Sequence, residues 1–165
     1  MAWHSMEKSI THSTMNLLKI VTSGIAATTA MSAFSYLVSE EKKKNFREPE
    51  VLGTLLKRRV SGLSKPAANA VGWGAHYGTG LVFAGLYDQL WKKTTVKPTV
   101  LSGAVLGAAS GLAGILIWKA TVALHPDPPV KAYKKYHKHL FLAHIVFGIA
   151  AAQAYRCIPD TTEGR

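Results

Sequence analysis

Cysteine is nearly missing from this chain. Cys157 stands alone, so neither an intrachain disulfide nor a thiolate metal cluster can form. Acidic residues are sparse too, with 9 Asp and Glu against 20 Lys and Arg in 165 residues. The familiar catalytic signatures are also absent. There is no Gly-rich phosphate loop before a helix, no H-E-x-x-H, no G-x-S-x-G and no acid pair within an apolar segment. Nucleotide loops, zincin-type hydrolysis and the serine-hydrolase elbow are thereby excluded, although an enzyme with a diffuse polar site would leave no such mark.

Apolar sequence is what the chain has in quantity. Hydrophobic residues make up 48% and charged residues 18%, and the apolar ones fall into blocks separated by charged, Pro-containing stretches. A bilayer core of about 30 Å requires roughly 20 apolar residues in a helix. Four segments meet that length: 16–39, 70–91, 99–124 and 138–158. Each is rich in Gly, Ala, Ser or Thr, the residues that let helices approach closely in lipid. A soluble four-helix bundle would need a polar face on every helix. Segment 99–124, "TVLSGAVLGAASGLAGILIWKATVAL", has Lys119 as its only charge and offers none. The expectation is an all-α polytopic membrane protein with four transmembrane helices in one membrane domain. The run at 16–39 is too long and starts too late for an ordinary signal peptide, and reads as a retained span.

The net charge of +11 raises nucleic acid as a partner. Most of the cations, however, flank the apolar segments, where positive-inside bias and anionic lipid headgroups account for them. Nucleic acid is therefore not an expected partner. Eight Lys and Arg lie in 40–69 and four in 125–138, more than half of the chain's 20. Loops 40–69 and 125–137 are thus expected in the cytoplasm, with both termini outside.

The chain also repeats itself. His76, Gly80, Ala84 and Tyr87 in segment two match His144, Gly148, Ala152 and Tyr155 in segment four, at an offset of 68. Ser23-Gly24 matches Ser102-Gly103 at 79, and so does the turn Glu48-Pro49-Glu50-Val51 with Asp127-Pro128-Pro129-Val130. Two tandem helical hairpins follow, related by an axis along the membrane normal. Inside the longer first loop, "PEVLGTLLKRRVSGL" has the apolar spacing of a short amphipathic helix over about 49–60, opened by Pro49 and lying on the membrane surface.

His76 and His144 each sit about six residues, or roughly 9 Å, into their helices from the same side. Ionisable residues inside a span usually face the bundle interior. A matched pair across a pseudo-axis has the arrangement to grip a metal ion, a haem iron or a shared proton. The other account is a histidine that hydrogen-bonds a backbone carbonyl or a Ser/Thr on a neighbouring helix. Further candidates for a metal set lie at the same side, namely His125, which ends segment three, and Glu40, which ends segment one. A divalent metal such as zinc accepts imidazole and carboxylate but wants three or four ligands. His137 and His139, at the start of segment four, are expected among headgroups and water. The repeated tyrosines are expected at the opposite interface. Lys119 is expected to snorkel, and Asp88 to see water and pair with Lys92. The tail "MAWHSMEKSITHSTM" places His4 and His12 among methionines, donors that suit copper.

The four Gly/Ala-rich spans, "GWGAHYGTG" and the basic loop after span one resemble small bacterial inner-membrane proteins of the YagU-like type. That resemblance implies an inner-membrane location and an accessory or stress-related role, and supplies no catalytic residues. The leading expectation is an assembly or accessory subunit, forming a homo-oligomer or part of a larger membrane complex. The alternative is a His-pair protein that binds haem or a metal or relays protons. A small transporter formed by oligomerisation is the weakest, because no span is broken mid-membrane by proline.

Overall fold

The computed structural model describes residues 2–128 and 133–159, with side chains for 16–128 and 134–159. Among these residues the fold is entirely helical: α1 (Ala2–Lys42), α2 (Glu48–Arg59), α3 (Lys65–Lys93), α4 (Val100–Ala123) and α5 (Tyr133–Arg156). The histidine- and methionine-bearing tail continues α1 back to Ala2, and its side chains lie outside the described residues.

Local chemistry sets the boundaries. Lys43 takes a left-handed conformation (φ 51°) where α1 ends, and Gly62 (φ 82°) turns the chain between α2 and α3. The Ser64 side chain accepts from the Ala67 N–H at the start of α3, with Pro66 in the first turn. α4 opens on a reciprocal capping box between Thr99 and Ser102. α2 coincides with the expected amphipathic helix and buries Val51 and Leu55. It packs on α3, where glycine makes the approach possible: a Cβ on Gly72 would collide with the Pro49 carbonyl and the backbone of Gly53.

The helices neighbour one another in the order α2, α3, α1, α5, α4. Contacts at matched positions agree. A Cβ on Gly24 would come within 3.2 Å of Ala84 Cβ, and one on Gly103 within 2.9 Å of Ala152 Cβ. Gly80 sits against Thr28 of α1, and Gly148 against Gly103 and Gly107 of α4.

Among the described residues two segments, Asn16–Lys42 and Val100–Ala123, are long and apolar enough to cross a membrane, rather than the four expected. α3 and α5 have the length but not the composition. Asn69, His76 and Asp88 dilute α3, while α5 opens on lysines and histidines and carries Gln153 near its end. In the most apolar stretch of each segment 39% and 28% of the residues are buried. Outward-facing residues include Leu101, Val105, Leu112, Leu116 and Ile117 on α4 and Val71, Val82 and Leu86 on α3. The interior combines an apolar and aromatic core, including Met31, Leu55, Trp118, Leu140 and Phe147, with buried Ser23, Thr28, Ser32, Ser35, Glu48, Asp88 and Ser110.

Candidate functional site

The histidine pair converges. His76 and His144 are both buried and line one cavity of about 120 Å³ between the helices. His76 comes from α3, and its Nε2 lies 3.0 Å from the Ser32 hydroxyl of α1. His144 comes from α5, and its Nδ1 lies 2.9 Å from the Leu140 carbonyl one turn back. A carbonyl only accepts, so His144 carries its proton on Nδ1 and leaves the Nε2 lone pair free. Its ring occupies space left by Gly114, where a Cβ would stand 3.1 Å from Nε2.

A third ionisable side chain lines the cavity, and it is not one the sequence reading selected. Glu48, the first residue of α2, is 3% exposed. Its Oε1 accepts from the Ser35 hydroxyl at 3.0 Å and lies 3.5 Å from His139 Nε2. The Ser35 hydroxyl in turn lies 2.9 Å from the same His139 nitrogen. Glu48 Oε2 is buried with no hydrogen-bond partner. The signal for this residue was the Glu48-Pro49 turn, which marks a helix N-terminus but does not say where its carboxylate is carried. Aromatic and aliphatic side chains, including Phe83, Phe147, Trp118 and Met31, complete the wall.

The proposed metal set does not assemble. His125 donates from Nε2 to the Leu55 carbonyl and accepts the Asp127 N–H on Nδ1, so both nitrogens are engaged away from the cavity. Glu40 is at the surface, paired with Arg47. Among the described residues no group of three or more His, Cys, Asp or Glu is arranged to hold a metal ion. Haem does not fit either. An apolar cavity of about 150 Å³ holds a benzene, and this one is smaller.

Three placements differ from the sequence reading. His139 does not face headgroups but is buried between Phe34 (5.4 Å) and Phe46 (4.7 Å). Asp88 pairs with Lys92 as expected, at 2.6 Å, yet it is 1% exposed and also accepts from the Tyr155 hydroxyl at 2.7 Å. Tyr87 and Tyr155 are buried rather than interfacial, and the Tyr87 hydroxyl lies 2.8 Å from Ser110 Oγ. Phe34 and Phe46 for His139, Tyr155 for Asp88 and Ser110 for Tyr87 all come from other parts of the chain, and sequence period alone does not identify them. Lys119 is exposed, as a snorkelling side chain would be. His137 is half-buried at the basic start of α5, and desolvation, then the charge on Lys119, lowers its pKa below the usual histidine value.

No protein-family model, curated protein or solved structure matches the chain.

Proposed function

We propose that the protein is an integral membrane protein that binds a small ligand in the cavity between His76 and His144. In this reading α1, α3, α4 and α5 cross the bilayer as two tandem hairpins. Loops 40–69 and 125–137 are cytoplasmic, both termini lie outside, and the membrane is the bacterial inner membrane that the sequence resemblance implies. The observation that carries the reading is the apolar outer surface. Leucine, isoleucine and valine side chains of α4 and α3 stand on the outside, while serine, histidine and carboxylate side chains are buried inside beside an apolar and aromatic core. Water would disfavour that arrangement and lipid favours it. The less apolar α3 and α5 fit it because their polar residues His76, Asp88, His139 and His144 turn inward, where a polytopic protein can satisfy them. The matched contacts Gly24–Ala84 and Gly103–Ala152 support a hairpin duplication. Lys57, Arg58 and Lys65 line a groove between α2 and α3, a suitable surface for anionic headgroups on the cytoplasmic side.

The test has two parts. A cysteine placed at Lys43 is expected to resist an impermeant thiol reagent outside intact cells and to react in inverted vesicles. Labelling from outside overturns the topology. For the site, native mass spectrometry of protein released from nanodiscs is expected to show a small bound species that Thr79→Trp, at the cavity mouth, removes. A clean, unliganded mass for the wild type counts against it.

A second reading, assembly with further copies or with a larger complex, rests on the outer face of α3. Added Cβ atoms at Gly74 and Gly78 meet nothing within 4 Å, leaving a small-xxx-small face open to another helix. Light scattering in mild detergent is expected to show an oligomer that Gly78→Leu weakens. A strictly monomeric wild type that copurifies with nothing removes this reading.

A further inference from the structure

We propose that the ligand of this cavity is a small organic cation, an amine whose ammonium group lies between Glu48 and His144. The assignment rests on the cavity reading above and adds the charge and hydrogen-bonding character of the occupant.

Two polar groups that line the cavity, His144 and Glu48, present hydrogen-bond acceptors. His144 commits its Nδ1–H to the Leu140 carbonyl, so the neutral ring presents Nε2 as an acceptor. Glu48 uses Oε1 on Ser35 and keeps Oε2 unpaired. Five buried side-chain atoms among the described residues lack a partner, and Glu48 Oε2 is the one that belongs to a cavity-lining residue. These two acceptors select a ligand that donates to both. A buried carboxylate lacking a full counter-charge is strongly disfavoured, and a cation in the cavity would offset that cost.

The remaining wall argues in the same direction. Phe83, Phe147 and Trp118 offer aromatic surfaces to an ammonium group and apolar area to the carbon chain behind it. Anions would meet Glu48 with like charge. A divalent metal lacks a three-ligand group. The mouth carries Thr79 of α3 and Ile117 of α4, both exposed on the outer surface of the bundle. An amine with an apolar tail can reach such a mouth from the lipid phase. The cavity volume limits that tail to a few carbons.

The experiment uses the full chain in nanodiscs at neutral pH, with empty nanodiscs as the blank, and titrates n-butylamine, 1-butanol and butyrate calorimetrically. The amine is expected to bind about tenfold or more tightly than the alcohol, the range of a charge-assisted hydrogen bond, with butyrate weakest. Glu48→Gln is expected to bring the amine down to the level of the alcohol while alcohol binding persists, which shows an intact cavity. Thr79→Trp is expected to abolish binding of both. An amine no tighter than butanol, or a preference that survives Glu48→Gln, overturns the cation assignment while leaving a small-ligand cavity standing. A wild type that binds none of the three overturns both. The ranking on the wild type decides the matter even if Glu48→Gln fails to fold.

Discussion

The two hairpins present the same histidine to different walls. In the α1/α3 hairpin, Gly80 and His76 face Thr28 and Ser32. At the matched positions of the α4/α5 hairpin, Gly148 and His144 face Gly107 and Gly111. The hydroxyls in the first hairpin fill space and hold the His76 ring. The glycines in the second let α4 and α5 approach backbone to backbone, and they leave His144 to bond its own helix. The far end diverges likewise, with Tyr87 beside the neutral Ser110 and Tyr155 donating to the buried carboxylate of Asp88. Two copies of one pattern thus stay alike where helices must touch and differ where a polar partner is chosen. His76 is a braced residue and His144 an available one.

Substitution at matched positions sharpens that contrast. The largest effect is expected at Gly148→Ala, where the new methyl meets the Gly103 carbonyl and the backbone of Gly107, so the helices must part. A loss of about 3 kcal/mol is expected in reversible unfolding in detergent, against about 1 for Gly80→Ala, whose methyl meets a Thr28 side chain able to rotate. Equal losses would mean that the hairpins pack alike. Next come the tyrosines. Tyr155→Phe removes a bond to a charged acceptor and is expected to cost about 2 kcal/mol, while Tyr87→Phe removes a neutral one and costs about 1. Reversal of that order would place the paired charge at Tyr87's end of the comparison instead. Ser32→Ala is expected to cost about 1 kcal/mol by stranding the His76 ring nitrogen. The smallest effect concerns ligand affinity: His144→Ala should weaken n-butylamine about fivefold more than His76→Ala, a difference of about 1 kcal/mol. The same titration checks it, and equal weakening would erase the division between braced and available histidines.

Much of this was legible in the residues themselves. Helical class followed from long apolar blocks without strand alternation, and the meeting of His76 with His144 followed from a shared pattern at equal depth. Other features depend on which helices become neighbours. Glu48 reaches the cavity because α2 is seated by Gly53 on Gly72, a contact that no periodicity displays. His125 and Glu40 share an end of the bundle with the pair, yet a backbone carbonyl and Arg47 claim them. His139 reads as interfacial among lysines until Phe34 and Phe46 enclose it. Asp88 and Lys92 were visible as an i,i+4 pair, but the burial of Asp88 depends on α5 delivering Tyr155.

The short α2 has a mechanical consequence. Glycine contact fixes it to α3, Glu48 ties it to Ser35 of α1 and lies beside His139 of α5, and Arg58 reaches Asp127 after α4 at 2.9 Å. His125 adds a bond to Leu55 from the same side. One helix of 12 residues is therefore riveted to elements of both halves. A rocking motion that exposed the cavity alternately to the two faces of the membrane would have to shear these joints together. In the proposed reading this is a clamped frame with a window at its side, which would hold a molecule dissolved in the bilayer rather than carry one across it.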